Sequence, residues 1–510
     1  MFNTLRMGIS ILVIAILAGC ASLPEDIKHS AEPVSPVSAS MLSELSDKYW
    51  DIQPSKQLSA VSIQDSGWDA LAQRLALVES AEHTIDIQYY IWNSDVSGIY
   101  LASRLLAAAD RGVRVRVMLD DINLNEREDL LVTLDAHPNV EIRVFNPIPS
   151  RRGVVKWLNV LGDFSRLNRR MHNKSFTVDG VATVVGGRNI GDEYFDLSDD
   201  INFRDRDVLV IGHVVTDIQQ SFEDYWSSRW SYPVELLGGE ALDDFSQIGE
   251  ISLPAYKHYP ELPQDSTEAK RLLQNVMSSM SWVSARFVYD QPVPNDEKNT
   301  SVPKETAQEL LNLASQSEHE ILLESAYLIF DDGQLESFKE LEDQNVTIKA
   351  LTNSMASNDL VTNHSGYAGR REDMLESGIE LFELKPEASL CVESTKDSEK
   401  CAPTTGYGLH SKSAVFDGKI ATIGSFNFNL RSTYLNTESL LIIESNDVAE
   451  ELANNINRAM ADDNSWHLSL DDGDVIWYSG EESFDSEPET GKWERFQSQF
   501  LQLLPIEKYL

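Results

Sequence analysis

The chain carries one short pattern twice. The stretch MHNKSFTVDGVATVVGGRN holds His172, Lys174, Asp179, Gly186, Gly187 and Asn189. The stretch LHSKSAVFDGKIATIGSFN holds His410, Lys412, Asp417, Gly424, Ser425 and Asn427. The two histidines lie 238 positions apart, and the step from His to Asn is 17 in both copies. A lone His-x-Lys constrains little. Two copies with matched gaps require two similar units that present the same side chains. Other segments keep the spacing. AEHTIDIQYY begins at Ala81 and SEHEILLESAY at Ser317, an offset of 236; Val140 of NVEIRVFNP and Ile379 of GIELFELKP are 239 apart. The matches keep their order, so an internal duplication is expected.

Each half repeats one coarse pattern. Ile85 to Tyr90 reads as a buried strand, Ser97 to Arg111 as a helix with Leu101, Leu105 and Ala108 on one face, and Val113 to Leu119 as another strand. Ile321 to Tyr327, Gln334 to Asp343 and Val346 to Leu351 repeat strand, helix, strand. Strands alternating with helices predict an α/β layered architecture with a largely parallel sheet. Acidic, Gly- and Pro-bearing sequence interrupts the pattern between Gly238 and Pro263. This divides a first domain, 48–240, from a second, 241–510.

The motif spacing has a geometric reading. On a strand, His172 and Lys174 point to one face, as do His410 and Lys412. Asp179-Gly180 and Asp417-Gly418 are turn dipeptides of a tight hairpin. The returning strands bring Asn189 and Asn427 back beside the start of their partners. These residue types suit phosphodiester chemistry. One neutral imidazole attacks phosphorus to give a covalent phosphohistidine, and the other, protonated, supplies a proton to the leaving alcohol. Lys174, Lys412, Asn189 and Asn427 hold the non-bridging oxygens. Two imidazoles needed in opposite protonation states at one pH titrate as a coupled pair. Asp179 and Asp417 fit a chemical role and a turn role equally. Ser425 fits phosphate binding and small-residue packing equally. The pattern asks for no metal and no cofactor, because each motif puts a lysine cation where a second ligand would be wanted.

The duplicated pattern resembles the motif H-x-K-x4-D-x6-G-[GS]-x-N of the phospholipase D superfamily. FSRLNRRMHNKSFTVDG, GGRNIGDEYF, LTNS, ELKP and GSFNFNLRSTYLNTE are similar to the bacterial cardiolipin synthases, nearest to their C type, from about Ala70 to Trp477. The resemblance implies two tandem α/β/α domains of phospholipase D type, related by a pseudo-twofold axis and sharing one active site. It implies His172 as nucleophile, His410 as acid and base, Asp205 and Glu438 as residues that orient the histidines, and phosphatidylglycerol, with or without phosphatidylethanolamine, as substrate. The expected activity is phosphatidyl transfer that forms cardiolipin. The alternatives are a phospholipase D that hydrolyses phospholipids, a nuclease with the same motif, and a lipid-binding lipoprotein that kept the fold.

The remaining features concern location. MFNTLRMGISILVIAILAGC has Arg6, an apolar run too short to span a bilayer comfortably, and small residues before Cys20. Leu17-Ala18-Gly19-Cys20 resembles a bacterial lipobox, which makes 1–20 a lipoprotein signal segment and implies cleavage before Cys20 and lipidation of that cysteine. Ala21, not Asp, follows; by the same resemblance this favours an outer-membrane anchor facing the periplasm over inner-membrane retention. Residues 21–47 include AEPVSPVSAS and read as a flexible tether. Cys391 and Cys401 fit a disulfide and a pair of free thiols equally. A formal net charge of -40 argues against general nucleic-acid binding. Against it stands a basic stretch with Arg151, Arg152, Lys156, Arg166, Arg169, Arg170 and Lys174, interleaved with Trp157, Leu158, Val160 and Leu161. That stretch fits a membrane interface or the rim of an anion pocket. No protein partner is legible.

Overall fold

The computed structural model describes residues 39–124, 128–148, 164–239, 259–292 and 302–502, with Ile27, Ala241 and Leu253 as isolated positions. Cys20 and its lipobox-like surroundings, most of the expected tether and residues 149–163 of the basic stretch lie outside the described residues.

In the first half the strands are β1 (Ser59–Gln64), β2 (Thr84–Tyr89), β3 (Arg114–Asp120), β4 (Val140–Phe145), β5 (Ser175–Val178), β6 (Ala182–Gly186), β7 (Ile201–Arg204), β8 (Asp207–Gly212) and β9 (Ser231–Pro233). The second half contributes β10 (Ser281–Tyr289), β11 (Glu320–Ser325), β12 (Thr347–Asn353), β13 (Ile379–Leu384), β14 (Gly406–Leu409), β15 (Lys412–Phe416), β16 (Ile420–Gly424), β17 (Ser439–Glu444), β18 (Ser465–Asp471), β19 (Asp474–Ser479) and β20 (Glu482–Phe484). All but β7 and β14 join one 18-stranded sheet, in the spatial order 9-4-3-2-5-6-8-1-10-17-16-15-11-12-13-18-19-20. The order reads alike outward from its centre. There β1 and β10 pair antiparallel, Ala60 opposite Trp282, and mark the pseudo-twofold relation between the halves.

The sheet is mixed, and the largely parallel arrangement is not what forms. Only β2–β3, β3–β4, β11–β12 and β12–β13 are parallel in it. Parallel pairing needs a crossover, which α3 (Val96–Asp110) supplies between β2 and β3 and α6 (Asp332–Asp343) between β11 and β12. The motif hairpins β5–β6 and β15–β16 then add antiparallel strands next to β2 and β11. Their turns hold Asp179 (φ 52°), Gly180 (φ 66°), Asp417 (φ 53°) and Gly418 (φ 62°) in the left-handed region. That is what a tight antiparallel turn demands and why Asp-Gly stands there.

Helices cover both faces. α2 (Gly67–Ser80) and α3 pack on Ile85, Ile87, Val115 and Val117 of the first half. On the opposite face α4 (Val215–Trp226) and α8 (Asn446–Ala459) close a cluster that crosses the midline. It joins Val208, Val210 and Ile218 to Ile423, Leu441, Ile443 and Leu452. The two halves therefore share a core. Two boundaries differ from expectation. Residues 41–47 of the expected tether belong instead to α1 (Met41–Trp50), which is capped by Ser40 and buries Leu42 and Leu45 in the first-half core. α5 (Ser266–Ser279) follows the expected 240/241 division, yet it buries Leu273 and Met277 in that same core. No helix among the described residues is long and apolar enough to cross a membrane. A disulfide joins Cys391 and Cys401.

A buried ion cluster pins the halves behind the site. Arg206, at the foot of β8, binds Glu324 of β11, Asp65 (2.6 Å) and Ser413 Oγ (2.9 Å), and Arg204 also reaches Glu324 (3.2 Å). Glu324 is fully buried. Arg206→Met takes the closest cation from buried Glu324 and the partner from Asp65, and breaking this buried network costs about 3–5 kcal/mol. Denaturant unfolding should show that loss, and the double variant Arg206→Met, Glu324→Leu should recover much of it.

Candidate active site

Two cross-half ladders build the site. β7 and β14 form a separate parallel pair, Arg204 opposite Leu409, and the Arg204 carbonyl accepts from His410 N–H (2.8 Å). This sets Asp205 beside His410. On the other side Met171 bridges Thr437, and the Thr437 carbonyl accepts from His172 N–H (2.9 Å). This sets Glu438 beside His172. The result is crosswise: His172 Nδ1 lies 2.7 Å from Glu438 Oε2, and His410 Nδ1 lies 2.5 Å from Asp205 Oδ2. Each imidazole belongs to one half and its carboxylate to the other.

The carboxylates decide which nitrogen carries the proton. An ionised carboxylate only accepts, so Nδ1 of each ring is the donor and Nε2 carries the lone pair. Lys412 Nζ also stands 3.0 Å from His410 Nδ1. That nitrogen cannot accept from Lys412 while donating to Asp205, and the shorter contact prevails. Nε2 of neither ring has a hydrogen bond among the described residues, which leaves it for a reacting atom. Tyr90 packs edge-on against His172 (4.7 Å between ring centres), Tyr194 against His410 (5.1 Å), and Phe203 lies 5.5 Å from His410.

Burial sets the protonation states. It drives His172 down to about 4, with Glu438 pulling upward and Lys174 and Lys412 adding to the fall. Burial, then Lys412, drives His410 to about 3 against the pull of Asp205. Both rings are neutral at pH 7 before an anion binds. Each also feels the other half's lysine, so the charges form one constellation. Burial lowers Lys174 to about 7 and Lys412 to about 8, against the carboxylates nearby. It works against ionisation of Asp205 too, but His410 and Lys412 outweigh it and hold the carboxyl at about 2. Glu438 is likewise held below its usual range, mainly by His172 and Lys174 against burial.

The other sequence-derived residues divide. Lys174 Nζ donates to the His172 carbonyl (2.6 Å), and Lys412 Nζ to the His410 carbonyl. Each lysine thus folds back beside its histidine. Asn189 and Asn427 follow the returning strands β6 and β16. The buried donor Asn189 Nδ2 has no well-formed hydrogen bond among the described residues, as a group awaiting an anionic oxygen would, and the acceptor Asn427 Oδ1 is likewise without one. Asp179 and Asp417 do not join them. They sit at the far hairpin ends, a four-residue strand of roughly 13 Å away. Asp179 accepts from the backbone of Glu82, His83 and Thr84, and Asp417 from that of Glu318, His319 and Glu320. Their role is to tie hairpin to strand, not to act on substrate. Ser425 is also reassigned. Its hydroxyl donates to Glu438 Oε2 (2.6 Å), and Ser432 donates to Oε1 (2.7 Å). Ser425 therefore positions Glu438 rather than phosphate. Arg166, Arg169 and Arg170 are buried, so they are not part of a membrane-facing lip. Arg170 pairs with Asp120 (3.0 Å).

Two positioning residues are not evident from the sequence. Asp120, at the end of β3, accepts from Met171 N–H (2.8 Å), next to His172. Asn353, at the matching end of β12, grips the Leu409 peptide from both sides (2.7 Å each), next to His410. Their shared signal is a place after VRVML and IKALT. The change of residue type from Asp to Asn hides it.

A family described as "Cardiolipin synthase, PLD-like domain" matches residues 75–226 and again 310–460, the two segments that hold these crosswise pairs. The chain belongs to the phospholipase D superfamily. Cardiolipin synthase C of Escherichia coli is 39% identical over 86% of this chain and 93% of its own. Cardiolipin synthase A of Pseudomonas syringae is 25% identical over 78% of this chain and 68% of its own. Among solved structures, the phosphatidylserine synthase of Haemophilus influenzae shares the fold with a TM-score of 0.57 at 12% identity, covering 92% of this chain and 99% of its own. This phospholipase D-type protein is thus an enzyme of the cardiolipin synthase-like group, built from two such domains.

Its lysines make a pH prediction. Cationic Lys174 and Lys412 attract an anionic diester, and both lose charge between pH 7 and 8 in the free enzyme. Accordingly kcat/KM falls as pH rises through that range. A bound phosphate favours the charged lysine, so the alkaline limb of kcat lies at higher pH. A kcat/KM still rising at pH 9 would contradict this assignment.

Proposed function

We propose that this enzyme transfers a phosphatidyl group from phosphatidylglycerol, or from phosphatidylethanolamine, to the free hydroxyl of a phosphatidylglycerol, forming cardiolipin. The observation that carries the reading is the pair of imidazoles, each held at Nδ1 by the opposite half's carboxylate and bare at Nε2. Likeness to the cardiolipin synthases supports the choice of substrate.

In this mechanism His172 Nε2 attacks phosphorus while His410, protonated once the anion is bound, gives its proton to the departing alcohol. The covalent phosphatidyl-His172 is then attacked by the acceptor hydroxyl, whose proton returns to His410. Lys174, Lys412, Asn189 and Asn427 stabilise the charge that grows on the non-bridging oxygens. Asp205 and Glu438 stay ionised and steady the imidazolium that forms at each stage. Cys20, lipidated, would hold the enzyme at the outer membrane on the periplasmic side.

Purified enzyme incubated with phosphatidylglycerol vesicles, with and without phosphatidylethanolamine, should yield cardiolipin by lipid mass spectrometry. Phosphatidic acid without cardiolipin would replace the transferase reading with a hydrolase. Appearance of labelled Cys20 after metabolic labelling with a fatty acid tests the anchor.

A further inference from the structure

The last helix of the structure is amphipathic the wrong way round for a helix serving its own core. α9 (Lys492–Gln502) packs on α7 (Val361–Ala368), with Gln502 Cγ close to Gly369. The one fully buried residue on α9 is Ser498. Trp493, Phe496 and Phe500, at helical spacing, point outward and are 67%, 56% and 56% exposed; Trp493 and Phe496 stack at 5.6 Å. A short aromatic stripe in water is costly unless something covers it.

The chain just before α7 lies near the site. Asp359 accepts from Tyr327 O–H (2.9 Å) and acts electrostatically on Lys412. Leu360 and Val361 follow it directly into α7, both exposed. We propose that α9, with the start of α7, is the surface by which this enzyme docks on a phospholipid bilayer, its aromatic side chains inserted at the interface beside the catalytic mouth. This deepens the reading of the enzyme as one that takes phospholipids, and rests on it.

Three observations favour a bilayer over a protein. The three aromatic side chains expose roughly 350 Å², well short of the ~800 Å² per partner of a stable protein interface. A few interfacial Trp and Phe residues suffice for reversible lipid binding. The charge also fits: in a chain of net charge -40, α9 carries Lys492 and Arg495 against one acid, Glu494. It is thus a cationic segment of an acidic protein, suited to approach anionic head groups. The exposed residues at the start of α7 make the stripe's support continuous with the chain near the site.

The test uses the full chain and vesicles of phosphatidylcholine with phosphatidylglycerol, some with brominated acyl chains. Bromine should quench Trp493, seen as a loss of quenching in Trp493→Ala. The variant Trp493→Ala, Phe496→Ala, Phe500→Ala should turn over vesicle substrate about tenfold or more slowly, but keep its rate on short-chain, monomeric phosphatidylglycerol. Absence of Trp493 quenching, or equal loss on both substrates, overturns the proposal. So does a dimer in sedimentation that the triple variant dissolves, which would assign the stripe to a second copy. If the wild type turns over neither substrate, the catalytic reading fails, and quenching alone still decides the docking.

Discussion

His172→Ala removes turnover, by roughly 10⁴-fold or more, and removes any covalent adduct. His410→Ala removes turnover as deeply but keeps the adduct when the leaving group needs no proton. The difference follows from the two tasks. In the proposed mechanism His172 Nε2 forms the bond to phosphorus, so nothing replaces it. His410 first donates a proton. A diester with a p-nitrophenyl leaving group departs without that help, so His410→Ala should release one equivalent of p-nitrophenol in a burst and then stall, because the acceptor alcohol has lost its base. Mass spectrometry of the stalled protein should place the phosphatidyl group on the peptide with His172. A burst from His172→Ala and none from His410→Ala would exchange the two roles.

Much of this site is legible in the sequence because chemistry repeats where packing does not. The two histidines, two lysines and two asparagines can be found from spacing alone, since a hairpin with fixed register leaves few positions that face one point. The carboxylates Asp205 and Glu438 come from the family resemblance, at matching places before the apolar runs DVLV and SLLII. What spacing does not give is the partner of each. Proximity of Asp205 to His410 comes from β7 lying on β14, a contact across about 200 residues that no local pattern encodes. The role of Asp179 and Asp417 goes the other way. An acidic residue inside a reactive motif looks chemical, yet its positive φ and its backbone amide partners show a turn device.

Sheet direction escapes the sequence for a physical reason as well. Strand–helix–strand patterns report crossovers and so predict parallel neighbours, but they are silent about hairpins inserted beside them. Arg116 shows a related limit. In sequence it alternates with apolar residues as a solvent-facing side chain would. In the fold α4 covers that face, and Arg116 is buried between Asp86 (2.7 Å) and Glu223 (2.6 Å). Burial on both faces turns an apparent surface charge into an interior ion pair.

Asp205→Asn harms this enzyme more than Glu438→Gln, although the two carboxylates hold matching places. Asp205 Oδ1 accepts from the Arg206 N–H (2.7 Å) while Oδ2 meets His410 Nδ1. In the Asp205→Asn variant the amide oxygen must stay toward Arg206, because two donors cannot face each other. The NH2 group then points at His410 Nδ1 and forces the ring proton onto Nε2. That is the wrong tautomer for a group that must later act as base, and the expected loss in kcat is about 10³–10⁴-fold, as for an Asn exchange in a triad. Glu438 is flanked differently. Oε2 takes His172 and Ser425, while Oε1 takes only the Ser432 hydroxyl. That hydroxyl can turn to accept, so the amide of the Glu438→Gln variant can place its NH2 toward Ser432 and keep its oxygen on His172. The tautomer survives, only the negative charge is lost, and the expected fall is about 10–10²-fold. Near-equal KM values in both variants, with kcat split in that order, are the measurement to seek. Ser432→Ala added to Glu438→Gln should deepen the loss, since it removes the acceptor that holds the amide NH2 away from His172. Were Glu438→Gln the more damaging exchange, the assignment of donors and acceptors around the two imidazoles would have to be redrawn.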